Sequence, residues 1–156
     1  MKNQRLTLDY EDDASIILGL VRLIKPVQDH ELFFHINQIN DLCFQRIEDF
    51  PIEKEYHSYS HSVFTAFHQG VQNCIQFISN KSIVHTKKKE IVELFTDEED
   101  INYLLPNFQD VDYIIKTSDN IDEFSVILLP ENMMFQIQEY ELTSEEEFYH
   151  LIQYYE

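Results

Sequence analysis

Ser60-His61-Ser62-Val63-Phe64-Thr65-Ala66-Phe67-His68-Gln69-Gly70-Val71-Gln72-Asn73-Cys74-Ile75-Gln76-Phe77-Ile78-Ser79 is the stretch on which the fold class turns. Two runs, Ser60 to His68 and Val71 to Ser79, flank Gln69-Gly70. Glycine supplies the positive φ that a tight hairpin turn requires, so the stretch reads as two antiparallel strands joined at Gly70.

Further strands fit on both sides of the hairpin. Arg5 to Tyr10 places Leu6, Leu8 and Tyr10 opposite Arg5, Thr7 and Asp9, the period of a half-buried strand. Ile16 to Val21 is short, β-branched and bounded by Pro26, which suggests a more central strand, with a helix as the alternative. Asp29 is placed to cap a helix whose apolar residues Leu32, Phe33, Ile36 and Ile39 make one stripe, leaving His30 and His35 outside it. Leu42 to Arg46 reads as a short strand closed by Glu48-Asp49 and Pro51. Beyond the hairpin, Glu90 to Phe95 fits a short helix, Ile101 to Leu105 a strand ended by Pro106, and Val111 to Thr117 another strand.

Asp119 or Asn120 can cap a helix that Pro130 terminates, after which Met133 to Tyr140 alternates as a strand. Thr143-Ser144-Glu145-Glu146 is a capping box, followed by Phe148, Leu151, Ile152 and Tyr155 on one helical face. No Gly/Ser linker, low-complexity tract or internal repeat interrupts the chain. Residues 1–156 are therefore expected to form one α+β domain: a mostly antiparallel sheet with three to four helices, including a capped C-terminal one.

A hydrophobic share of 44% and an aromatic share of 13% predict a packed core despite a formal net charge of −18. That charge is unevenly placed. Residues 1–89 hold 10 Lys and Arg against 11 acids, whereas residues 90–156 hold Lys116 alone against 18 acids. Nucleic-acid readers gain affinity from cations that neutralise phosphates, so this composition argues against nucleic acid, and against anionic membranes for the same reason. It suits instead either an acidic docking face for a protein partner with a basic surface or simple solubility. The two glycines, Gly19 and Gly70, cannot compose a P-loop, a dinucleotide-binding loop or a nucleophile elbow.

Met1 to Asp9 lacks the basic and apolar regions of a secretory leader, and Ile16 to Ile24, interrupted by Arg22, is too short to span a bilayer. A cytoplasmic setting is expected. Cys43 and Cys74 sit among apolar neighbours without C-x-x-C spacing, which predicts buried free thiols.

Leu105-Pro106-Asn107-Phe108-Gln109-Asp110-Val111-Asp112-Tyr113 resembles the signature of the IPExxxVDY family of small bacterial proteins. Pro106, Val111, Asp112 and Tyr113 are identical to it, Leu105 stands for its Ile, and Asn107 replaces its Glu. The strand Leu6-Thr7-Leu8-Asp9 and the helix Asp29 to Asn37 are also similar to that family's N-terminal half. The resemblance implies no activity, cofactor or catalytic residue. The family's genes often lie beside those for ribonuclease III and pyruvate kinase, so the resemblance implies a cytoplasmic housekeeping setting and two candidate partners. Read from the residues alone, Val111 and Tyr113 enter the core on one face while Asp112 points to the other, where its carboxylate is expected to bind backbone N–H groups if it lies at a strand start, with a ligand or partner contact as the alternative.

Candidate chemistry is sparse. His57 and His61 are four apart, but on a strand that separation is roughly 13 Å, too far to hold one ion. A metal site would need His61 or His68 to meet carboxylates from another strand. Asp9, Glu11, Asp12 and Asp13 form an acidic turn without the glycine and distal glutamate of a calcium loop. Cys74 and His68 could approach across the hairpin, with no orienting third group visible. The leading expectation is a non-catalytic interaction or regulatory domain with an acidic C-terminal docking surface and no cofactor. The alternative is a small enzyme or metal-binding domain using His61 and His68 with carboxylates. Exposed sheet edges and nine tyrosines leave a homodimer open.

Overall fold

The computed structural model describes residues 15–54, 57–83, 86–87, 101–117 and 127–153. In chain order these form β1 (Ile16–Val21), α1 (Asp29–Ile39), β2 (Cys43–Glu53), β3 (His57–His68), β4 (Val71–Ser79) and β5 (Thr86–Lys87). A 3-10 turn (Pro106–Phe108), β6 (Tyr113–Thr117), β7 (Gln138–Leu142) and α2 (Glu147–Ile152) follow. The strands make one antiparallel sheet in the order β2-β3-β4-β6-β1-β7, with β5 beside the start of β3. Among the described residues the architecture is one antiparallel sheet with few helices, α+β-like or mostly β.

The hairpin forms as its sequence dictates. Gln69 and Gly70 both adopt positive φ, 53° and 81°, in a two-residue turn whose twist matches that of the flanking strands. β1 is a strand between β6 and β7; Leu18 and Leu20 bury on one face and Val21 on the other, while Ile17 stays exposed.

Several expectations are corrected. Three to four helices are not found: the described residues contain two α-helices. The helix expected over Glu90 to Phe95, the one expected from Asp119 or Asn120, the strand Arg5 to Tyr10 and the acidic turn at Asp9 to Asp13 lie outside the described residues, apart from Ile127 and Leu128, which are not helical. α1 begins at Asp29 itself, preceded by Gln28, which makes no side-chain cap. Ile39 at the end of its stripe is exposed, leaving Leu32, Phe33 and Ile36 to bury.

β2 does not stop at Glu48-Asp49 but continues to Glu53. Glu48 and Asp49 together oppose Ser62 in a bulge between the pairs Ile47–Val63 and Phe50–His61, braced by an Arg46–Asp49 ion pair of 3.0 Å. The extra residue reverses the face that alternate positions address: Phe44 packs on one side of the sheet, Phe50 and Ile52 on the other. Pro51 is tolerated because β2 is an edge strand.

Ile101 to Leu105 makes one β-bridge, Tyr103 to Lys81, before Pro106 opens the 3-10 turn. Met133 to Ile137 likewise makes only the bridge of Met134 to Leu23, and the strand starts at Gln138. α2 starts three residues later than a cap at Thr143 implies. The capping-box glutamate still reaches back: Glu146 Oε2 accepts from the Thr143 N–H at 3.3 Å.

The core lies on both faces of the sheet. One face carries Leu18, Leu20, Ile52, Val63, Ile78 and Ile114 and is covered by α2, through Phe148, Tyr149 and Ile152, and by residues 104–111. The other carries Val21, Phe44, Phe64, Phe77 and Ile115 and is covered by α1. Phe33 of α1 is its hub: its ring stacks on Phe64 with centroids 4.0 Å apart and meets Phe77 and Tyr113 edge-on. Cys43 is exposed, not buried as expected, at the start of the edge strand β2; the side chain of Cys74 lies outside the described residues. Among the described residues no helix is long and apolar enough to cross a membrane.

Candidate functional site

The connection from Ile101 to Tyr113, which contains the signature-like residues, has little regular structure, so its backbone groups need partners elsewhere. Asn80, directly after β4, supplies them. Its fully buried side chain accepts from the Leu105 N–H at 2.8 Å and donates to the carbonyls of Phe108 at 2.9 Å and Val111 at 3.0 Å. Its own backbone accepts from Leu104 N–H and donates to the Asp112 carbonyl. One carboxamide thus stands in for the sheet ladder that the loop lacks.

Each signature-like residue has a definite place in this unit. Pro106 opens the 3-10 turn, where its missing N–H costs nothing. Val111 packs beneath the loop on the α2 face, whereas Tyr113 packs in the α1 core, so the two enter opposite faces and not one as expected. The reason is that β6 starts only at Tyr113, and strand alternation does not extend back to Val111.

Asp112 binds backbone as expected: its Oδ2 accepts from the Leu23 N–H at 2.7 Å, just where β1 leaves the sheet. Burial, opposed by this hydrogen bond, pushes its carboxyl above the usual carboxylate range. Neighbouring Asp110 is held below that range by the Arg22 guanidinium, whose Nε donates to it at 2.7 Å. The Tyr113 hydroxyl donates to the Asp29 carboxylate at the start of α1. Burial first, and this hydrogen bond second, hold the phenol protonated far above its ordinary value. Two of the three segments with family resemblance, Asp29 to Asn37 and Leu105 to Tyr113, are therefore joined by a hydrogen bond.

The histidines do not converge. His61 is completely buried, with Nδ1 2.9 Å from the Ser79 carbonyl and Nε2 3.0 Å from the Asn102 side-chain amide. A carbonyl only accepts, so Nδ1 carries the proton and Nε2 accepts from Asn102. Both ring nitrogens are engaged, and burial pushes the imidazole down to about 4 from 6.5, keeping it neutral. His68 ends β3 at the hairpin turn and is exposed, with Nδ1 3.4 Å from the Asp41 carbonyl. Among the described residues no group of three His, Cys, Asp or Glu could hold a metal ion.

A cleft of about 260 Å³ opens beside the signature-like loop, between the end of β2, residues 102–107 and the first turn of α2. Its apolar wall comes from Ile52, Leu104, Phe148 and Leu151. Asn107, at the position where the signature has Glu, lines it together with Lys54, Glu146 and Glu147. Lys54 Nζ is 3.4 Å from Glu147, while Glu146 accepts from the Tyr140 hydroxyl at 2.7 Å, a phenol pushed up to about 12 by burial and this bond. The cleft was not foreseen, because its walls come from three separated segments. Asn80 was missed as well, since an Asn after a strand is an ordinary turn signal.

Part of the acidic C-terminal portion lies at the β7 edge of the sheet. Glu139 and Glu141 lie exposed on this edge strand, and Glu145 and Glu147 are exposed between it and the first turn of α2. Compared with known proteins, the chain matches no family model, no curated protein and no solved structure.

Proposed function

We propose that this protein is a non-catalytic interaction or regulatory domain that docks a protein with a basic surface through its acidic C-terminal portion, in a cytoplasmic setting. The observation that carries the reading is the concentration of exposed carboxylates at one end of the sheet. Glu139 and Glu141 on β7, together with Glu145 and Glu147, share a chain segment in which Lys116 is the one cation. Complementary charge of this kind speeds encounter and fixes orientation. Nucleic acid and anionic membranes are disfavoured by the same field.

Membership of the IPExxxVDY family belongs to this proposal. What supports it is that Pro106, Val111, Asp112 and Tyr113 all serve one loop tied to β1, β4 and α1. In this reading the signature builds the scaffold, and recognition is left to the surface around it.

Capture of partners from native lysate at low and high salt tests the proposal. A basic protein held at low salt, released at high salt and weakened by Glu139→Gln with Glu141→Gln is expected. Binding indifferent to salt and to those substitutions would refute it.

A further inference from the structure

We infer that the cleft between β2, the signature-like loop and α2 is an anchor pocket for an arginine side chain of the basic partner; the inference rests on the docking reading above. Its cavity of about 260 Å³ is small for a cofactor and of the scale of one long side chain. The wall of Ile52, Leu104, Phe148 and Leu151 offers an apolar surface to a hydrocarbon stem. The polar lining then selects the head group.

Glu146 and Glu147 outnumber Lys54 in that lining, so the cleft carries a local charge of −1 within a chain of −18. An anion would have to approach Lys54 against both. A cation meets Glu146, whose carboxylate accepts from the neutral Tyr140 hydroxyl and Thr143 N–H, and Glu147, which it would share with Lys54; the Asn107 carboxamide adds an acceptor oxygen. Guanidinium suits this set better than ammonium: its planar fork addresses several acceptors at once, and it favours an aromatic neighbour, here Tyr103. Asn107 tunes the site, because glutamate there would add a third carboxylate to the lining.

The pocket differs from the β7 carboxylates in being concave and partly apolar, and that difference makes it separately testable. The probe is N-acetyl-arginine amide, titrated into isotope-labelled protein and followed by backbone amide NMR, with N-acetyl-citrulline amide as the neutral isostere and N-acetyl-aspartate amide as the anion. Saturable shifts at Asn102, Leu104, Asn107 and Leu151 are expected with arginine and not with citrulline or aspartate. Glu147→Gln and Leu151→Ser are each expected to weaken binding about fivefold, and Asn107→Glu to tighten it by a similar factor. Glu139→Gln with Glu141→Gln should leave it unchanged.

Equal shifts from citrulline, preference for the aspartate probe, or insensitivity to all three pocket variants would overturn the inference. A hexa-arginine peptide separates the two levels. If it binds at low salt and perturbs only β7, the pocket fails while the docking surface stands; if it perturbs neither, the docking reading fails with it.

Discussion

Replacing Asn80 with Ala leaves the buried N–H of Leu105, the buried carbonyl of Val111 and the part-buried carbonyl of Phe108 without their partner. Unsatisfied buried groups cost about 1–3 kcal/mol each, so Asn80→Ala is expected to destabilise the protein by about 3 kcal/mol or more, measured by chemical denaturation. Asp112 separates hydrogen bonding from charge. Asp112→Asn keeps an oxygen for the Leu23 N–H and is expected to change stability by under about 1 kcal/mol, whereas Asp112→Ala loses the bond and should cost about 1–2 kcal/mol. His61 makes stability depend on pH. Its folded pKa is about 4 against 6.5 unfolded, so the unfolded chain takes up the proton first. Its contribution is complete above pH 6.5 and is lost as pH falls through 4. The loss amounts to about 2 kcal/mol by pH 5 and on the order of 3 kcal/mol in total. Denaturation of wild type and His61→Gln at pH 7 and pH 5 isolates it, since only the wild type should show this increment.

At the scale of elements, the β3–β4 turn places Gln69 as well as Gly70 at positive φ. Side chains other than Asn and Asp enter that region at a cost, so Gln69→Asn is expected to stabilise by several tenths of a kcal/mol, and Gly70→Ala to destabilise by about 1 kcal/mol, in thermal unfolding. The hairpin, β1 and α1 were legible because each is announced by its own residues: a Gly between two strand runs, a short apolar run opened by Ile16-Ile17 that left a helix as the alternative, and a three-and-four spacing of Leu32, Phe33 and Ile36. β2 was legible only to Arg46. Its continuation past Glu48, Asp49 and Pro51 depends on its being an edge strand, which is a property of the whole sheet. The site was less legible still. Asp112 as a backbone ligand follows from its type and position at a strand start, but Asn80 gains its meaning from residues 105 to 111, and no local pattern joins them.

Among the described residues the sheet ends in two edge strands, β2 and β7. β2 is blunted by its bulge and Pro51, and β7 by Glu139 and Glu141, which discourage pairing with an identical acidic strand. Replacing both glutamates with Val should therefore promote self-association, read as a rise in molar mass by light scattering at concentrations where wild type shows none.

The order of the sheet also bears on how the protein is made. β1 pairs with β6 and β7, whose first residues are Tyr113 and Gln138, so Ile16 to Val21 leaves the ribosome long before either partner exists. At roughly 5–20 residues per second, the nascent strand waits on the order of ten seconds with its apolar residues unpaired. Through that interval it is a natural client for a chaperone, and the sheet closes only when translation reaches its last strand.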